Sequence, residues 1–103
     1  MKIHCPWCDY GSRIQTLETV YGVEYTPYIE GKVYFLTPNE CDIQIDKVPW
    51  EDVELLMVGE NQRATPAPEG AVTVGIPTPS EYYNDQALAI ALYERFLWQH
   101  NSQ

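Results

Sequence analysis

The sequence predicts an α+β fold in one domain: a small N-terminal β region, a short middle helix, a Pro-rich loop and a long C-terminal helix. Three observations predict it. β-Forming residues dominate positions 13–36, four prolines crowd the stretch from Gly59 to Pro79, and the chain beyond Pro79 is rich in apolar residues with no further Pro or Gly. At 103 residues, with 45% apolar and 20% charged side chains, there is material for one small core.

Residues 1–46 read as the β-rich part. Met1 to Gly11 predicts a short strand that enters a tight knuckle at Cys5-Pro6-Trp7-Cys8. Thr16, Thr19, Val20, Tyr21, Val23 and Tyr25 then favour strand, and Glu30-Gly31 between Tyr28-Ile29 and Val33-Tyr34-Phe35 predicts a hairpin turn. Ile14, Leu17, Val20 and Tyr21 also fit one helical face, so this stretch admits both readings. Cys41, Ile43 and Ile45 alternate with Asp42, Gln44 and Asp46, the period of a half-buried strand. Pro49 at a first helical position, Glu51 and Asp52 near the positive end of a dipole, and Gly59 as a stop predict a short middle helix carrying Val53, Leu56 and Met57.

Residues 60–78 predict a Pro-rich, exposed loop, with a brief strand at 71–74. Thr78-Pro79-Ser80-Glu81 has the form of a capping box, so residues 79–100 predict the terminal helix. Leu88, Leu92 and Phe96 line one face of it. Tyr82, Tyr83, Ile90, Leu97 and Trp98 fall elsewhere around the circumference. A helix apolar on several sides needs a second cover, so these five residues are candidates for a partner-binding surface.

Charge narrows the function. Six Lys+Arg against fifteen Asp+Glu give a net charge of −9, and Lys2, Arg13, Lys32, Lys47, Arg63 and Arg95 are scattered along the chain. A direct grip on nucleic-acid phosphates or an anionic membrane surface is disfavoured. No apolar run has the length of a membrane span and no basic-then-apolar leader opens the chain, so the expected location is cytoplasmic. Between Glu40 and Glu60 lie seven acids and one base, Lys47. Within that stretch Glu51, Asp52 and Glu54 are candidates for steering the chain onto a basic partner surface, or serve solubility alone.

The cysteines carry two chemical readings. Cys5 and Cys8 can share a zinc ion, with Cys41 as third ligand; His4 and His100 are the only histidines. No other cofactor is expected. The same Cys5-Pro6-Trp7-Cys8 unit, with Tyr21-Gly22-Val23-Glu24-Tyr25 after it and Val48-Pro49 where a cis-proline would stand, resembles the glutaredoxins. The resemblance implies attack by a Cys5 thiolate at a helix N-terminus, with Cys8 resolving the mixed disulfide. Four residues precede Cys5, β-formers fill the stretch where a helix is required, and no Gly-Gly turn follows Pro49. No Gly-x-Ser-x-Gly elbow or phosphate-cradling loop is present, so the first expectation is a protein that is not an enzyme.

Ala67-Pro68, flanked by small residues, suits the groove of a cyclophilin-type prolyl isomerase. Short, acidic and aromatic-rich, with this loop and the long terminal helix, the chain resembles the small anti-RecBCD accessory proteins of lambdoid phages of enteric bacteria. That resemblance implies a host-takeover protein in the host cytoplasm. It would bind the RecC side of the RecBCD helicase–nuclease, alter DNA-end processing and protect phage DNA, with recombination favoured. A host prolyl isomerase would join through Pro68.

Overall fold

Val33-Tyr34-Phe35-Leu36 and Leu55-Leu56-Met57-Val58 are buried at every position. Continuous apolar runs of this length are what strands covered on both faces require. In chain order the elements are β1 (Lys2–His4), α1 (Ser12–Tyr21), β2 (Glu24–Tyr25), β3 (Val33–Leu36), β4 (Ile43–Gln44), β5 (Leu55–Val58), β6 (Val72–Gly75) and α2 (Asn84–Asn101), with single 3-10 turns at Ile45–Lys47 and Trp50–Asp52. The structure, a computed structural model, describes residues 1–5, 11–37, 41–59, 66–77 and 84–101.

The six strands form one sheet in the order β2-β1-β5-β3-β6-β4, and every neighbouring pair is parallel. Register aligns Tyr25, Ile3, Leu56, Tyr34 and Val72 in one row across five strands. That row and the one with Val58, Leu36, Val74 and Ile43 face the main core, where Ile14 of α1 and Leu88, Ala91 and Leu92 of α2 pack on them. The alternate residues Val33, Phe35, Leu55 and Met57 form a second cluster on the opposite face, joined by Ala71.

The two helices lie side by side and run in the same direction. Arg13 pairs with Asp85 at 3.0 Å near their N-terminal ends. Near the other end the Arg95 guanidinium reaches the Tyr21 carbonyl at 3.5 Å, where a cation also suits the negative end of α1. Burial lowers the Arg95 pKa from its ordinary value.

Several expectations are corrected. Of the two readings that residues 12–21 admit, the helix is the one present, and the β-rich one is not. Ile14 is buried, and Leu17 and Tyr21 are half-buried against the core, a helical spacing. Thr16 and Thr19 donate their hydroxyls to the carbonyls of Ser12 and Gln15 one turn back. Gly22 ends the helix in the left-handed region, φ 65°, its N–H donating to the Glu18 carbonyl. No hairpin joins β2 to β3: β2 is an edge strand, and β1 and β5 separate it from β3. Gly31 turns the chain at φ 77°, and the Glu54 carboxylate accepts the Lys32 N–H beside it.

The middle helix is replaced by the 3-10 turn Trp50–Asp52 followed by β5. A helix would have turned part of Leu55-Leu56-Met57-Val58 to water, whereas a strand inside a two-faced parallel sheet buries all four. The strand predicted over 41–46 is regular only at Ile43–Gln44, and the brief strand at 71–74 is present as β6. The capping box at 78–81 lies outside the described residues.

Candidate functional site

Strand connectivity marks one place in this sheet. From β1 the chain crosses through α1 to β2 on one side, whereas from β5 it crosses to β6 on the other. Neighbouring β1 and β5 therefore part in opposite directions. In open α/β sheets the C-terminal ends of two such strands are where ligands and reactive groups are commonly held. Ile14 of α1 packs on the main core and Ala71, just before β6, on the second cluster across the sheet.

Cys5 stands at this switch point of the sheet, directly after β1, with Gly59 directly after β5. Its side chain belongs to the main core and is 0% exposed. Cys5 is disulfide-bonded and Cys41 is a free thiol. Cys8, the third cysteine of the chain, lies outside the described residues. His4 is buried and its Nδ1 is 2.8 Å from the Thr26 carbonyl, which holds that nitrogen as the N–H donor and ties β1 to the end of β2. The α1 helix opens at Ser12, behind Gly11 at the N-cap, with no acidic residue in its first turn.

Two of the three features that separated this chain from the glutaredoxin pattern are therefore absent from the folded molecule. Three residues suffice for β1, because β2 and β5 pair with it on both sides. A helix does follow the cysteine pair. The third remains, and the Val48–Pro49 bond is trans, so no cis-proline stands there.

Cys41 is not brought to Cys5. It lies beside Gly75 of β6, three strand spacings from β1, or about 14 Å across the sheet. Among the described residues no three His, Cys, Asp or Glu side chains gather as a metal ion would need.

Glu51, Asp52 and Glu54 are all exposed, but two of them are engaged within the fold. Glu54 clasps the turn before β3, and Asp52 accepts a 2.7 Å hydrogen bond from the Tyr34 hydroxyl. Burial first, then the Asp52 hydrogen bond and the Asp52 and Glu51 charges, push the Tyr34 hydroxyl up to about 12 from the ordinary 10.0. Between those two values the unfolded chain loses this proton while the folded chain keeps it. Stability is therefore unaffected by this group below pH 10 and falls as pH rises toward 12. The loss should reach roughly 2 kcal/mol, read as a shift of the urea midpoint, and Asp52→Asn should shrink it.

Ala67 is exposed and Pro68 half-buried. The Pro68 carbonyl accepts the Ala71 N–H at 3.0 Å across a turn in which Gly70 takes φ 80°. Pro68 therefore sits in a hydrogen-bonded turn, where an extended loop was expected.

On α2 the inward residues are Leu88, Ala91 and Leu92, and Trp98 packs against the same cluster. Phe96, expected on that face, points out instead. It is 40% exposed, and Tyr93, 51% exposed, stacks beside it with ring centroids 6.3 Å apart. His100 meets Phe96 edge-on at 4.5 Å. Ile90 and Leu97 are half-buried; Tyr82 and Tyr83 lie outside the described residues. Among the described residues no helix is long and apolar enough to cross a membrane.

Compared with known proteins, the chain matches no family model, no curated protein and no solved structure.

Proposed function

We propose that the chain is a thiol–disulfide exchange protein whose working pair is Cys5 and Cys8. One observation carries the proposal: Cys5 is held in a disulfide at the C-terminal end of β1, where the connections from β1 and β5 part in opposite directions. A disulfide that served only to brace the fold would gain most by closing a long loop, and a two-residue spacer closes almost none. A helix follows within a few residues, and the positive end of a helix dipole favours thiolate over thiol. The reduced pair would pass two electrons to a substrate disulfide, yielding two substrate thiols and the disulfide form described above.

The test is reduction of a protein disulfide by dithiothreitol with catalytic amounts of the chain. Acceleration that Cys5→Ser abolishes and Cys41→Ser leaves intact is the expected result. A rate equal to that of dithiothreitol alone overturns the proposal.

The outer face of α2 favours a second reading, a protein-binding chain of the anti-RecBCD kind. Tyr93 and Phe96 are large, exposed and stacked, which suits an aromatic anchor at an interface. In this reading they displace Trp98 as the anchor toward RecC, while Ile90 and Leu97 flank them. Purified RecBCD retained by the wild-type chain, and released by a Tyr93→Ala, Phe96→Ala double variant, would support it. Equal retention of both, or of neither, would dismiss it.

A further inference from the structure

We infer that Glu18 is a guard: its carboxylate closes the outward N–H of edge strand β2 and keeps the chain from pairing there, strand to strand, with a second copy of itself. The inference stands apart from the thiol–disulfide reading. An edge strand offers backbone donors and acceptors to any other strand that arrives, so a fold that stays single covers them.

β2 is one of the two edges of the sheet, with only β1 beside it. Along a paired strand successive residues alternate: one turns its N–H and C=O to the neighbour, the next turns them away. The Thr26 N–H donates to the Ile3 carbonyl at 2.9 Å, so Thr26 faces β1. Tyr25, in register with Ile3, therefore faces outward. A further strand would bring a carbonyl to the Tyr25 N–H. In that place stands the carboxylate of Glu18, whose Oε2 accepts this N–H at 3.0 Å. The fold brings the two together at the end of α1. Gly22 turns the chain in the left-handed region, and the Glu18 carbonyl accepts the N–H groups of Gly22 at 2.9 Å and Val23 at 3.2 Å. One residue thus ends the helix with its backbone and closes the strand edge with its side chain.

The surroundings of β2 say what the guard keeps out. Five large apolar side chains are exposed among the described residues, and three of them, Val20, Tyr28 and Ile29, flank β2 closely along the chain. A strand added at this edge would gain backbone hydrogen bonds and apolar cover together. A second copy suits it, because an outward-facing residue offers one N–H and one C=O. Two Tyr25 residues related by a two-fold axis would exchange both bonds in an antiparallel pair.

The experiment uses the full chain in a Cys41→Ser background, which removes cross-linking through the free thiol. Sedimentation velocity compares the parent chain, Glu18→Gln and Glu18→Ala from micromolar to near-millimolar concentration. Glutamine keeps a side-chain carbonyl that can accept the Tyr25 N–H, and alanine does not. Glu18→Ala should dimerise at least roughly 10-fold more tightly than the other two chains, the scale of one or two net hydrogen bonds. A Glu18→Ala chain that stays monomeric overturns the inference. A Glu18→Gln chain that dimerises as tightly overturns it too, because the lost charge and not the lost hydrogen bond would then be the cause. Open-ended aggregates in place of a closed dimer do the same. If Glu18→Ala does not fold, amide exchange on the parent chain decides. The Tyr25 N–H should exchange at least roughly 10-fold more slowly than an unprotected amide, and exchange at the unprotected rate overturns the inference.

Discussion

Leu56→Ala is expected to destabilise the fold by about 3–5 kcal/mol, the upper part of the range for a buried leucine. Leu56 is 0% exposed and lies in β5, with Ile3 of β1 on one side and Tyr34 of β3 on the other in the same row. Those strands are hydrogen-bonded to it on both sides, and both helices press on the same face. The walls of the cavity left by truncation therefore cannot close by a simple shift. Domains of this size have only about 5–15 kcal/mol of stability in all. Urea unfolding should show a much lower midpoint with an unchanged slope, and a loss below about 1 kcal/mol would contradict the packing described.

Two aromatic residues two positions apart on α2 should behave oppositely. Trp98→Ala should cost about 2–4 kcal/mol, because the indole packs against the main cluster and its loss opens a gap under the last turns of α2. Phe96→Ala should cost less than about 1 kcal/mol, because its ring stands out from the helix among Tyr93 and His100. The sequence pattern suggests the reverse. Paired urea titrations of the two variants decide it, and a Trp98→Ala chain as stable as the wild type would return Trp98 to the outer surface.

That reversal shows where the sequence was legible. Leu88 and Leu92 were readable as core because they repeat at helical spacing, and the assignment survives in the structure. Phe96 continues the same spacing, yet it is exposed, and Trp98 two positions further along is the residue that packs against the main cluster. The apolar residues of α2 lie on several sides of the helix, so spacing alone does not say which side the core takes. The strand β1 and the strand near Val72 were legible from β-forming residues beside turn signals.

Other elements were hidden for a physical reason. Ser12–Tyr21 carries Thr16, Thr19 and Val20, which favour strand locally, and its helix is settled by Ile14, Leu17 and Tyr21 docking on the sheet. Leu55–Val58 lacks the alternation of a half-buried strand because both its faces are covered. The candidate site was half legible. The Cys5-x-x-Cys8 spacing announced redox or metal chemistry. Its placement beside β5 depends on a parallel sheet assembled from segments more than fifty residues apart, which no local pattern encodes.

The reduction potential of the Cys5–Cys8 pair tests the central claim most directly. It is measured on the Cys41→Ser chain by equilibration in dithiol/disulfide buffers of known poise, followed by alkylation and mass. A reversible two-electron transition between about −120 and −270 mV, the span of working oxidoreductases, is the predicted result. A pair that stays oxidised to below about −300 mV, as structural disulfides do, would contradict it.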